Sequence, residues 1–76
     1  MNERIEGLNS RLKTLFYQSD KPLNVIAKDF GVYPSAIQRW LNMNICPSPF
    51  YLKKICEYFN VSADWLLGLS NERNIA

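Results

Sequence analysis

The sequence predicts an all-α domain of five short helices. Apolar residues recur at spacings of three and four in five separate stretches, as they do along one face of an α-helix. Pro, Gly, Asn and Ser residues separate these stretches, and such residues commonly begin or end helices. No stretch alternates apolar and polar residues as a half-buried strand would.

Length and composition indicate one compact domain, residues 1–76. A chain of this length is near the lower limit for folding without a disulfide or a metal, and its hydrophobic content of 47% is too high for a disordered segment. No apolar run approaches the roughly 20 residues of a membrane span. The N-terminal residues include two glutamates and no apolar signal segment, so we expect a cytoplasmic protein.

The first two helices are predicted from apolar spacing and from the residues at their ends. The first is expected from about Glu3 to Gln18, with Ile5, Leu8, Leu12, Leu15 and Phe16 on its apolar face. Glycine and asparagine weaken its start, so frayed residues or a separate turn before about Ser10 are the alternative. Asp20 is predicted to be the N-cap of the second, with Lys21 and Pro22 in its first turn. The apolar face of the second comprises Leu23, Ile26, Ala27 and Phe30. Gly31 is expected to end this helix because glycine readily adopts positive φ.

The third helix is predicted from Pro34 to Asn42, because proline suits the first position of a helix. Its apolar stripe is Ile37, Trp40 and Leu41. The opposite face carries Ser35, Gln38, Arg39 and Asn42. A face of hydroxyl, amide and guanidinium groups without a carboxylate suits base edges and phosphates. The second and third helices therefore predict a helix-turn-helix motif.

The last two helices follow a loop that contains two prolines. Pro49 is expected to open the fourth helix, with Ser48 as its cap. Its apolar stripe is Leu52, Ile55, Cys56 and Phe59. Asn60 is a candidate left-handed C-cap, Ser62 is predicted to cap the fifth helix, and Gly68 should close it. We expect the polar residues from Ser70 onward to be mobile.

Positive charge is concentrated in the middle of the chain. Residues 21–54 contain five basic residues and one acidic residue, a net charge of +4, whereas the remainder has four basic and six acidic residues, a net charge of −2. A surface that faces phosphate groups would require this distribution. A solvated face that has few acids by chance is an equally good interpretation of charge alone.

Residues for catalysis or metal binding are scarce. The chain has no histidine, its carboxylates do not cluster, its three glycines are scattered, and its two cysteines, Cys46 and Cys56, are ten residues apart. We therefore predict no catalytic residues, no metal site, no cofactor and no small-molecule ligand.

Taken in order, these motifs resemble the Cro/cI-type (XRE) helix-turn-helix domain of phage and bacterial repressors. The resemblance extends roughly over residues 11–69, and leaves 1–9 and 70–76 as terminal extensions. Its landmarks are RLK at 11–13, IAxxFGV at 26–32, IxRW at 37–40, PS at 47–48 and VSxDWLLG at 61–68. It implies a five-helix lambda-repressor-like fold whose third helix lies in the major groove of double-stranded DNA.

The resemblance also implies particular contacts for a bacterial or phage transcriptional regulator, most often a repressor. Its candidates for reading bases are Tyr33, Pro34, Ser35, Gln38 and Arg39. It matches phosphate contacts to the start of the second helix, Asn42, Phe50 and Tyr51. The polar and basic side chains themselves add Asn24, Lys28, Asn44 and Lys54 as candidates. A homodimer is expected to use Leu66, Leu67, Leu69 and the tail. Arg39 is the strongest of these candidates because arginine commonly binds guanine through two hydrogen bonds; a surface arginine paired with a carboxylate or a phosphate is the alternative.

Three departures from the family pattern leave a second function open. Leu23 occupies the position of a glutamine that usually contacts phosphate, and Pro34 replaces a residue that often reads a base. Phe16 and Leu41 occupy the positions of an arginine and a glutamate that many members pair in the core, so we expect these two side chains to touch. The alternative function is a protein-interaction module, antitoxin-like or anti-repressor, in which DNA binding has weakened.

Overall fold

The computed structural model describes residues 6–43 and 45–74, which form five α-helices. The helices are α1 (Leu8–Tyr17), α2 (Leu23–Phe30), α3 (Pro34–Asn42), α4 (Pro49–Phe59) and α5 (Ala63–Leu66). The prediction of an all-α domain is confirmed. None of these helices has both the length and the apolar character needed to cross a bilayer.

One apolar core holds the five helices together. α3 packs against α1 and α2, and α5 packs against α1 and α4. Every helix contributes at least one fully buried side chain, among them Leu12, Ile26, Ile37, Ile55 and Leu66. Burying an aliphatic side chain of this size stabilises a fold by about 1.5–3 kcal/mol. The central position of α3 in this packing fixes which of its faces reaches solvent.

Phe16 and Leu41 both belong to this core, with 3% and 0% of their surface exposed. They lie on α1 and α3, which pack against each other. The Phe16 ring makes edge contacts with Phe30 and Phe59, at centroid distances of 6.2 and 5.1 Å. The site where many family members bury an ion pair is therefore apolar here. A direct contact between Phe16 and Leu41 stays a prediction.

The starts of α1 and α2 differ from the sequence prediction. α1 begins at Leu8 rather than near Glu3, after Gly7 in a left-handed conformation with φ of 79°. Residues 1–5, which include the expected start, lie outside the described part of the chain. α2 begins at Leu23, and its N-cap is Pro22 rather than Asp20. A proline disfavours the helical conformation of the residue before it, so the helix cannot extend back toward Asp20.

The predicted ends of α2 and α4 and the start of α5 are confirmed. Gly31 follows α2 with φ of 74°, and Asn60 follows α4 with φ of 56°. The Ser62 hydroxyl accepts a hydrogen bond from the Trp65 backbone N–H at 3.3 Å, which caps α5. At these three positions local capping chemistry determines where the helix begins or ends.

Arg73 and Asn74 contact the start of α5, which the expectation of a mobile segment from Ser70 onward does not include. The Ser62 N–H donates to the Arg73 carbonyl at 2.7 Å, and Val61 and Asn74 form an isolated antiparallel β-bridge. The Arg73 guanidinium lies 5.3 Å from the centre of the Trp65 ring, which allows a cation–π interaction. These contacts join residues distant in sequence, so local spacing does not reveal them.

Arg11 ties the start of α1 to the end of α5. Its Nη1 donates to the carbonyl oxygens of Glu6 and Leu66, each at 3.3 Å. Gly7 and Gly68, both at positive φ, lie against the guanidinium, and a Cβ on either would approach it to 3.1 Å. Positive φ therefore favours glycine at both positions, and a larger residue would also have to displace the Arg11 guanidinium slightly.

Candidate nucleic-acid interface

The third helix has one buried face and one exposed polar face, as its sequence predicts. Its buried side chains are Ile37, Trp40 and Leu41. Its exposed side chains include Ser35, Gln38, Arg39 and Asn42. The apolar residues anchor the helix in the core, and the four polar side chains consequently point together into solvent.

The turn between α2 and α3 sets the direction of α3. The Gly31 N–H donates to the Lys28 carbonyl at 3.1 Å, and the Val32 N–H donates to the Ala27 carbonyl at 3.0 Å. These bonds satisfy carbonyls that the end of α2 would otherwise leave without partners. A Cβ at Gly31 would meet no atom within 4 Å, so the requirement for glycine here is its φ and not space.

The start of α3 is open to solvent. Tyr33 is the N-cap residue and has 83% of its surface exposed, while Pro34 and Ser35, which follow it, are also exposed. No side chain caps this helix, and its first turn carries no acid. The Ser35 N–H is therefore available to an anion or a base acceptor, whereas Pro34 has no N–H and the Ala36 N–H donates to the Tyr33 carbonyl at 2.9 Å.

Arg39 lies on the exposed face, and no carboxylate of the described residues forms an ion pair with it. Its guanidinium also makes no side-chain hydrogen bond within residues 6–43 and 45–74. The alternative of a surface arginine paired with a carboxylate therefore finds no partner there. Beside Arg39, the Asn42 side-chain amide donates to the Gln38 carbonyl oxygen at 2.7 Å.

The start of α4 lies next to α3. The Tyr51 ring is 5.6 Å from the Trp40 ring, centre to centre, so the two helices meet at these aromatics. Phe50 is 61% exposed, and the Lys54 ammonium lies 5.0 Å from the centre of its ring. Ser48 is the N-cap residue, as predicted, but its hydroxyl makes no capping hydrogen bond. The free N–H groups and Lys54 together form a candidate phosphate site.

Two candidate residues for phosphate contacts lie on α2, and a third lies outside the residues that the structure describes. Asn24 and Lys28 are both exposed and are four residues apart, so they share one side of the helix. Leu23 packs against the core, which agrees with the packing role predicted for it. Asn44 is not among the described residues.

Asp29 is the one acidic residue between positions 21 and 54, and two donors bind its carboxylate. The Tyr58 hydroxyl donates to Oδ2 at 2.7 Å, and the Lys21 ammonium lies 3.5 Å from the same oxygen. These contacts, the Tyr58 hydrogen bond first, hold the pKa of Asp29 below its ordinary value despite a smaller opposing effect of desolvation. The only acid of the basic stretch is thus paired. Sequence spacing gave no sign of this because Tyr58 is 29 residues away.

Replacing Tyr58 by phenylalanine is expected to lower stability at neutral pH and to matter less in acid. The folded-state pKa of Asp29 is lowered, so this contribution is present above its unfolded pKa of about 3.9 and is lost as pH falls through the folded value. Urea unfolding midpoints of wild type and Tyr58→Phe should therefore differ at about pH 7 and converge near about pH 2. Tyr17→Phe is the matched control, because Tyr17 is 62% exposed. If the difference between the two unfolding midpoints did not change with pH, the loss of stability would come from ring packing and not from the Asp29 hydrogen bond.

The proposed dimer residues have very different exposure. Leu66 is 1% exposed and belongs to the core of its own chain, so its candidacy as a dimer contact is wrong. Its position as fourth residue of α5 turns it inward toward Val61, which is also buried. Leu67 is half-buried, whereas Leu69 is 75% exposed. Of the three leucines, Leu69 offers the most free apolar surface.

The two thiols are separate and are not activated. Cys56 is buried in the core and Cys46 is exposed in the loop before α4. Desolvation raises the pKa of both thiols, which lowers the thiolate fraction. In the part of the chain that the structure describes, no three metal-binding side chains are grouped together.

Comparison with known families agrees with the geometry of this interface. A helix-turn-helix family model matches residues 20–66, more than half of the chain and all of α2, α3, α4 and α5. The protein is therefore a DNA-binding transcription regulator in its general class. The chain belongs to the Cro/cI-type (XRE) helix-turn-helix family. The corresponding comparisons with curated proteins and with solved structures gave no match.

Proposed function

We propose that the protein is a sequence-specific transcriptional repressor that reads the major groove of DNA with α3. The observation that carries this proposal is the division of α3 into two faces. Ile37 and Leu41 are fully buried, while Gln38 and Arg39, which lie between them in sequence, are exposed. A rigid helix with an open polar face meets the geometric requirement for groove reading.

Phosphate contacts are proposed to flank the reading helix. The starts of α2, α3 and α4 have no side-chain cap and no acid in their first turns, so their partial positive charge and the first-turn N–H groups that have no intrahelical partner remain available. Lys28 and Lys54 lie on two of these helices. Such contacts position a protein on the duplex, and the base contacts of α3 would supply the specificity.

The protein is proposed to act as a homodimer on a pseudo-palindromic operator and to repress by blocking a promoter. One recognition helix covers few base pairs, and a second copy doubles the readout. Leu69 is the leading candidate for the dimer contact because it follows α5 and is largely exposed.

The test is binding to random duplex DNA over a range of salt concentrations, measured by fluorescence anisotropy. The net charge of +4 in residues 21–54 suggests about four neutralised phosphates for each chain. For the proposed homodimer, with about eight neutralised phosphates, affinity should then fall about 10,000-fold between about 50 and about 200 mM salt. Absence of binding at low salt would contradict the proposal.

A protein-interaction module is the second candidate, and it is favoured by the apolar side chains around α3. Tyr33, Met43 and Phe50 are each more than half exposed. An exposed apolar surface often marks a protein contact. Binding of this kind should depend weakly on salt, so the same titration separates the two functions when a protein partner is compared with duplex DNA.

A further inference from the structure

Two amide side chains on the exposed face of α3 are joined by a hydrogen bond. The Asn42 Nδ2 donates to the Gln38 Oε1 at 2.7 Å, the short end of the range for such bonds. The residues are one helical turn apart, and both are exposed. Within the described residues, neither amide makes a second side-chain hydrogen bond. The carbonyl of Gln38 is therefore engaged by the protein, whereas its NH2 group keeps two free donors.

This bond restricts what Gln38 can recognise. An unrestrained glutamine can pair its carbonyl and its NH2 group with the N6 amino group and N7 of adenine. Asn42 draws the Gln38 carbonyl back toward the helix, so the donors are the groups left to face a base. A side chain already held in one orientation also loses less conformational freedom on binding.

We propose that Asn42 is a positioning residue that holds the Gln38 amide with its donors outward. Gln38 then selects bases whose major-groove edge offers acceptors, namely O6 and N7 of guanine or O4 of thymine. It discriminates against cytosine, which presents only an amino group there, and disfavours adenine, whose N7 accepts one hydrogen bond while its amino group finds no acceptor. This inference rests on the proposed function, because it assigns a specificity to the helix that reads the DNA.

A positioning role and a phosphate contact at Asn42 predict different effects of substitution on DNA binding. Loss of a phosphate contact weakens binding to all sequences about equally. Loss of a positioning contact changes the preference at one base pair. Asn42→Asp sharpens the difference, because a carboxylate only accepts hydrogen bonds. Gln38 would then donate to Asp and turn its carbonyl outward, toward an amino group.

The experiment selects binding sites from a random duplex pool with wild type, Asn42→Ala, Asn42→Asp and Gln38→Met. Wild type should prefer guanine or thymine at one base pair by about tenfold. Asn42→Ala should reduce that preference to about threefold or less, and Asn42→Asp should shift it toward adenine or cytosine. Gln38→Met, which has no donor, should abolish it. The measured quantity is the ratio of affinities for two sites, so the effect of the added charge of Asn42→Asp on overall affinity cancels.

Unchanged base preferences in both Asn42 variants, with uniformly weaker binding, would overturn the proposal and make Asn42 a phosphate contact. An unchanged preference in Gln38→Met would overturn it as well. A wild-type protein that binds no duplex, or binds without sequence preference, refutes the proposed function itself, and that outcome is visible before any substitution is made. Unfolding midpoints close to that of wild type would show that the variants are folded. In the free protein, Gln38→Met should shift the side-chain amide signals of Asn42 in a nitrogen-15 NMR spectrum.

Discussion

Replacing Leu41 by glutamate is expected to cost about 3–5 kcal/mol of stability, because it leaves an unpaired charge in the core. Leu41 is 0% exposed. A domain of 76 residues has roughly 4–11 kcal/mol of stability in total, so much of the population should unfold. Urea unfolding followed by circular dichroism measures the loss. Gln38→Glu is the matched control, since it adds the same charge to the exposed face of the same helix and should change stability by about 0.5 kcal/mol or less.

A second substitution should recover part of the loss. Many family members have an arginine at the position of Phe16 and a glutamate at that of Leu41, so Phe16→Arg with Leu41→Glu should restore an ion pair in place of an isolated charge. Recovery should be incomplete because Phe16 also packs against Phe30 and Phe59. The coupling free energy of the double-mutant cycle should exceed about 1 kcal/mol. Additive losses from the two substitutions would show that these positions do not touch.

Replacing Arg39 by alanine is expected to remove about 1–3 kcal/mol of base discrimination, or about 5- to 150-fold in preference for the selected site over random DNA. Arg39 is exposed and has no ion-pair partner among the described residues, so its guanidinium is free to bind a guanine. The measurement compares dissociation constants for the two kinds of duplex. The free energy of unfolding should change little, because the exposed Arg39 side chain is not part of the core.

Two controls separate base reading from charge. Arg39→Lys keeps the positive charge but cannot form the two parallel hydrogen bonds of a guanidinium. It should therefore lose preference for the selected site while it retains most of the binding to random DNA. Lys13→Ala removes one positive charge from α1, which carries no candidate DNA contact, and should leave the preference unchanged. If Arg39→Ala weakened binding to both duplexes by the same factor, Arg39 would be a phosphate contact.

Local chemistry made the helices and the two faces of α3 predictable. The spacing of Ile37, Trp40 and Leu41 fixes which side of the helix is buried, and the residues between them must then be exposed. Gly31 and Asn60 end helices through the left-handed conformation, a local preference that depends little on distant contacts. These features follow from neighbouring residues alone, and for this reason the sequence reveals them.

Features that depend on contacts distant in sequence were not predictable. The docking of Arg73 beside Ser62 and Trp65 requires the chain to return on itself, and nothing in the composition of the tail indicates this. The pairing of Asp29 with Tyr58 joins α2 to α4 in the same way. The Gln38–Asn42 bond is different, because its spacing of four residues on a helix is a recognised pattern and could have been identified.

The most direct test of groove reading by α3 is to follow the backbone amide signals of the nitrogen-15-labelled protein while duplex DNA is added. If α3 lies in the groove, the largest chemical-shift changes should fall on residues 33–42, with smaller changes at the starts of α2 and α4. Shifts confined to α5, Arg73 and Asn74, or no shift at low salt, would contradict groove reading by α3.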